Sequence, residues 1–115
     1  VGPMEERYFL YFEELDWAVR NRRRGEAAFE TAFAHGATVW HKEGGSIGSS
    51  GKKGQRSAFS DYWLARSRLA FMRRHYPWLW PWHWLVTLGV AGLRFTRRQP
   101  DKGRSIVRAL LGREY

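Results

Sequence analysis

The sequence contains no cysteine. That excludes disulfide cross-links and thiolate chemistry, and it fits a reducing compartment. Aspartate is scarce as well: Asp16, Asp61 and Asp101 are the three in the chain, and no two are spaced as Asp-x-Asp. Acids of any kind are sparse in the second part. Residues 46–115 hold three of the eleven acids and fourteen of the twenty bases, a balance of 14 − 3 = +11. Residues 1–45 hold eight acids and six bases, a balance of 6 − 8 = −2. The first part therefore has carboxylates to spare for chemistry. The second should seek anions: phosphate, an acidic lipid surface or nucleic acid.

A long hydrophobic run is also missing. The most apolar stretch, Pro77 to Phe95, is nineteen residues long and holds Pro81, His83 and two glycines. A membrane-spanning helix needs roughly 20 predominantly apolar residues, so this stretch reads as an interfacial or core-packed helix. Valine comes first and no charged segment precedes an apolar one, which predicts no signal peptide. There is no internal repeat. At 115 residues and 13.6 kDa, one domain or part of one is expected.

Tryptophan, by contrast, is abundant, with seven in the chain. Trp78, Trp80, Trp82 and Trp84 alternate with Leu79, Pro81 and His83. Tryptophan favours places where one end is apolar and the other wet. Beside Arg73, Arg74 and Arg94, such a cluster suggests a membrane interface.

The pattern predicts a helix over Glu13 to Arg24, with Leu15, Val19 and Trp17 buried. Acids at its start and bases at its end complement the helix dipole, and Gly25 is placed to cap it. Ala27 to Phe33 and Ala37 to His41 read as two short strands around a His35-Gly36 turn. Residues 43–56 form a loop rich in glycine and serine. Ser57 or Ser60 would cap the next helix, which Pro77 stops near Tyr76. Within it Tyr62, Ala65, Leu69, Met72 and Tyr76 make one apolar stripe. Residues 101–111 suggest a last basic amphipathic helix.

The loop does not qualify as a phosphate-binding Walker loop, because Ser46 stands where its first glycine should be and Lys53 where Ser or Thr should be. No helix-turn-helix, zinc-finger or RNA-recognition pattern is present, so no nucleic-acid partner is expected. On local pattern alone, Glu13 and Glu14 read as helix-start residues, His41 as a structural histidine, the loop equally as a plain linker, and Asp16 and Trp17 as residues that pack the helix.

Tyr8-Phe-Leu-Tyr-Phe-Glu-Glu-Leu-Asp-Trp17, then Arg20 and Gly25, is followed by Val39-Trp-His-Lys-Glu-Gly-Gly-Ser46 and by the helix Ser60 to Pro77. In order and spacing these strings resemble the second half of bacterial family 2 glycosyltransferases of the rhamnosyltransferase-like type. The resemblance covers Val1 to about Pro77. It implies an α/β fold: the C-terminal, acceptor-side part of a GT-A domain, mainly helical with a short two-stranded element and an incomplete sheet. Residues 1–56 would belong to that catalytic domain, 57–76 to an amphipathic helix and 77–115 to membrane-associating helices.

The resemblance implies that Glu14, beside Glu13, is the general base. The family more often has Asp there, one methylene shorter. It implies further that His41 ligates Mn²⁺ or Mg²⁺, that Asp16 and Trp17 shape the acceptor pocket, and that Lys42, Gly44, Gly45 and Ser46 close over the diphosphate. The implied reaction is inverting transfer from a nucleotide-diphosphate-sugar to a polysaccharide or lipid-linked acceptor, at the cytoplasmic face of the plasma membrane. Such transfer needs a carboxylate to take the acceptor's proton. The nucleotide half and its Asp-x-Asp lie outside these residues. The chain alone is therefore expected to be inactive, with strand edges prone to self-association. The alternative from a different class is a non-catalytic basic module that binds anionic membrane or nucleic acid through residues 46–115.

Overall fold

In a computed structural model the described residues are 1–40 and 57–115. Four helices form: α1 (Glu13–Arg22), α2 (Ala58–His75), α3 (Trp80–Thr96) and α4 (Pro100–Leu110). Short 3-10 turns precede α3 (Pro77–Leu79) and follow α1 (Gly25–Ala27). Among the described residues there is no strand and no sheet. This corrects the α/β expectation and its two-stranded element.

The physical reason lies in what surrounds the expected strands. Two strands alone are marginal in water without a third strand or a helix to pack on. Phe33, Val39 and Trp40 are exposed, so burial stabilises neither segment. The turn does form: Ala37 N–H donates to the Ala34 carbonyl across Gly36, whose φ is +80°. Phe29 is paired by a side chain instead of a strand. Asn21 Nδ2 donates to the Phe29 carbonyl at 2.7 Å, and Phe29 N–H donates to Asn21 Oδ1 at 2.9 Å. His41 and the loop 43–56 lie outside the described residues.

Helices α2, α3 and α4 pack together as one unit. Its centre is Tyr62, Ala65, Ala91, Ile106 and Ala109, flanked by Trp63, Val90, Val107 and Leu110. Three of the five central residues are alanines, which lets the helix axes approach closely. Ser57 caps α2 by accepting from Ser60 N–H at 3.2 Å. Proline lies in the first turn of both α3 and α4, where its missing N–H removes no helical bond. Arg94 reaches from the end of α3 to the buried Asp61 at the start of α2, at 3.0 Å.

Helix α1 joins this unit through side chains. Ser67 Oγ donates to the Leu10 carbonyl, and Arg23 donates to the His75 carbonyl at 2.9 Å. Phe12 stacks at a tilt on Phe71 with centroids 5.4 Å apart. The expected burial of α1 is reversed: Leu15 is 53% exposed, whereas Asp16 is 0% exposed. Val19 and Trp17 are half-buried.

Candidate functional site

Among the described residues the densest polar cluster surrounds Asp16. Its Oδ1 lies 2.6 Å from His75 Nε2 and accepts from Tyr8 OH at 3.2 Å. Its Oδ2 accepts from Arg20 Nε at 2.8 Å, one helical turn away. Arg74 NH1 stands 3.3 Å from Oδ1 and 2.8 Å from Glu5 Oε2. Arg20 also ties down the N-terminal segment by donating to the carbonyls of Val1 and Pro3. One buried carboxylate thus joins the N-terminal segment, α1 and the last turn of α2.

The electrostatics follow from that arrangement. Burial works to raise the Asp16 pKa, but the hydrogen bonds from His75 and Arg20 and the charges of Arg74 and Arg20 outweigh it and hold the carboxyl below its ordinary value. Tyr8 is pushed up to about 12 by burial first, then by the charge and hydrogen bond of Asp16. Glu5 is held low chiefly by its hydrogen bond from Arg74.

Directly before the acidic pair the backbone is unusual. Tyr11 and Phe12 are consecutive non-glycine residues with φ of 67° and 68°. The left-handed region is costly for bulky side chains, of order 1–3 kcal/mol each, and persists only where the surroundings over-determine it. Here they do: Tyr11 OH and Ser60 Oγ lie 2.6 Å apart, and Phe12 is held on Phe71. This kink delivers Glu13 and Glu14 into the first turn of α1. Glu14 is exposed and, among the described residues, has no hydrogen bond or ion pair. Glu13 has one oxygen, Oε2, buried without a partner among those residues.

The remaining expected residues are distributed as follows. Asp16 has both oxygens engaged. Trp17 is half-buried and donates from Nε1 to the Gly2 carbonyl at 3.2 Å. His41, Lys42, Gly44, Gly45 and Ser46 lie outside the described residues. Among the described residues no group of three His, Cys, Asp or Glu side chains could hold a metal ion. His75 and Asp16 are themselves crowded by two guanidiniums, a poor environment for a second cation.

A groove of about 580 Å³ follows the outward face of α1, lined by Leu15, Val19, Phe29 and Phe71 among others. The four tryptophans of the Trp78–Trp84 run divide into pairs. Trp78 and Trp82 are 71% and 65% exposed. Trp80 lies under the Arg73 guanidinium at 6.0 Å, and Trp84 Nε1 donates to the Leu110 carbonyl at 3.4 Å. Trp82, Leu85, Val86 and Leu93 recur at helical spacing and form one exposed apolar stripe along α3, with the exposed Trp78 in the 3-10 turn that precedes it. No described helix is long and apolar enough to cross a membrane.

Local pattern missed Tyr8, Arg74 and His75 as members of the Asp16 cluster. The Asp16–Arg20 spacing of four was the one legible signal, because it stacks the two on one helix face. Comparison with known proteins finds no family model, no curated protein and no solved structure that matches this chain.

Proposed function

We propose that these residues form the acceptor-side part of an inverting glycosyltransferase that works at an anionic membrane surface, with the nucleotide-sugar site supplied from outside residues 1–115. One observation carries this reading. Glu14 is an exposed carboxylate without a partner among the described residues, on a helix start that a strained backbone and a buried ion cluster hold in place. Local strain that the surroundings maintain is a feature of working sites, and rigid supports are what a general base needs.

In this reading Glu14 takes the proton from the acceptor hydroxyl as that oxygen attacks the anomeric carbon. The saturated Asp16 positions α1 and does not touch the acceptor. Trp17 braces the N-terminal segment. The order of the aromatic run, acidic pair and Trp-His string is what ties the free carboxylate to sugar transfer.

The test is Glu14→Gln in the protein that the source cell makes from this locus, read as release of nucleoside diphosphate from a panel of sugar nucleotides. Loss of a general base lowers kcat by about 10²–10⁴-fold. Turnover indifferent to the substitution would sink the reading. Residues 1–115 alone should give no turnover.

The second reading, a non-catalytic module on an anionic membrane, is favoured by the stripe on α3. Tryptophans sit at one end of it, Arg97 and Arg98 follow its other end, and no acid occurs between Asp61 and Asp101. An apolar face bordered by cations suits a lipid surface better than a nucleic-acid backbone. Both readings share this membrane contact, and Glu14→Gln separates them.

A further inference from the structure

A second cleft, of about 550 Å³ and open to solvent, lies where α2, the start of α3 and the end of α4 meet the N-terminal segment. Four guanidiniums border it: Arg66, Arg73 and Arg74 from α2, and Arg7. Its remaining wall is mostly apolar, with Leu69, Trp80 and Leu110. Among the described residues no carboxylate lines it.

The four cations are not equivalent. Arg74 is taken by Glu5 and Asp16, and Arg7 lies 3.5 Å from Glu5. Arg66 donates to Tyr62 OH at 2.7 Å and lies over the Trp63 ring, with no carboxylate partner among the described residues. Arg73 lies over Trp80 and has neither a carboxylate nor a hydrogen-bond acceptor among those residues. Arg66, Leu69, Ala70 and Arg73 are spaced i, i+3, i+4, i+7, so they share one face of α2. The two uncompensated guanidiniums are then about 10 Å apart along the axis at ~1.5 Å per residue, close enough for flexible side chains to converge on one anion.

We propose that this cleft binds a phosphate monoester that carries an apolar group. Arg73 and Arg66 grip the phosphoryl oxygens, because a guanidinium fork matches them in pairs. Leu69, Leu110 and the Trp80 face take the apolar group. The inference does not rest on the transferase reading, since none of these residues belongs to the Glu14 site. The ligand chemistry has two sources, a lipid headgroup and a soluble phosphate ester.

The experiment is calorimetric titration of the 115-residue protein with hexyl phosphate, inorganic phosphate and hexanoate. Arg73→Gln and Arg66→Gln are compared with Arg97→Gln, which removes an equal charge outside the cleft; far-UV circular dichroism checks that each variant is folded. Hexyl phosphate should bind saturably and more tightly than either other probe. Each cleft substitution should weaken it about tenfold, the size of one lost charge-assisted hydrogen bond, while Arg97→Gln changes it less than twofold. Equal loss in Arg97→Gln, equal binding of hexanoate, or no saturable binding overturns the proposal. Vesicles of phosphatidic acid in phosphatidylcholine then identify the source. Sedimentation that needs Arg66 and Arg73 assigns a lipid headgroup, and sedimentation indifferent to them, beside a cleft-dependent hexyl phosphate, assigns a soluble ester.

Discussion

His75 Nε2 lies 2.6 Å from Asp16 Oδ1, a contact between residues 59 apart in sequence that closes the last turn of α2 onto the first turn of α1. Both side chains are buried. Asp16→Ala leaves Arg20, His75 and Tyr8 without their common acceptor. Removing one partner from a buried ion cluster costs about 3–5 kcal/mol. Urea denaturation should show a loss of that size. His75→Ala should cost less, and the double variant should fall short of the sum, because the two residues share one network.

Two groups in this cluster set opposite limits on pH. Asp16 is held below its ordinary pKa, so the unfolded chain takes up its proton first as pH falls. Its stabilisation is complete above the usual carboxylate pKa, near 3.9, and drains away as pH falls through the lowered folded value. Tyr8 is raised to about 12. Its contribution is complete below the unfolded pKa near 10 and is lost as pH rises from there toward 12. Thermal unfolding across pH should show both edges. In Tyr8→Phe the alkaline edge should move up, and an unchanged edge would count against this assignment.

The division of the tryptophans predicts a division of effects. Trp78→Ala with Trp82→Ala should release the protein from anionic liposomes while changing the unfolding midpoint little, because both rings are exposed. Trp80→Ala with Trp84→Ala should destabilise the fold by a few kcal/mol, of the order seen for large-to-small changes at packed sites, and spare liposome binding. Equal effects of the two pairs in co-sedimentation would remove the stripe on α3 as the contact.

Asn21 stands in for a strand partner at Phe29 through two hydrogen bonds. Asn21→Ala removes both and leaves the backbone of Phe29 to water. The expected cost is about 1–3 kcal/mol. It should appear as faster amide exchange around residues 28–31, with α2 to α4 unchanged. A global loss of protection would mean that this segment and the helical unit unfold together.

The helices were legible because their signals are local. Ser57 as a cap, Pro77 as a stop and the Tyr62–Ala65–Leu69 stripe each act within a few residues. The apolar residues Phe33, Val39 and Trp40 were equally legible, but their exposure and lack of strand pairing were not. A strand exists only when a neighbour accepts its hydrogen bonds, and local pattern cannot tell whether that neighbour is present.

The same distinction separates Glu14 from Asp16. Both stand in one acidic helix start and read alike in sequence. One faces solvent and the other is fully buried, because α1 turns its polar edge toward α2. Sequence alone determined the approximate places of α2, α3 and α4, the charge asymmetry and the tryptophan run, through periodicity, capping and composition. Tertiary structure alone decided which carboxylate stays free, which tryptophans face outward and that Asp16 gathers Tyr8, Arg20, Arg74 and His75. Those outcomes depend on side chains brought together from distant parts of the chain, where burial and charge act through space.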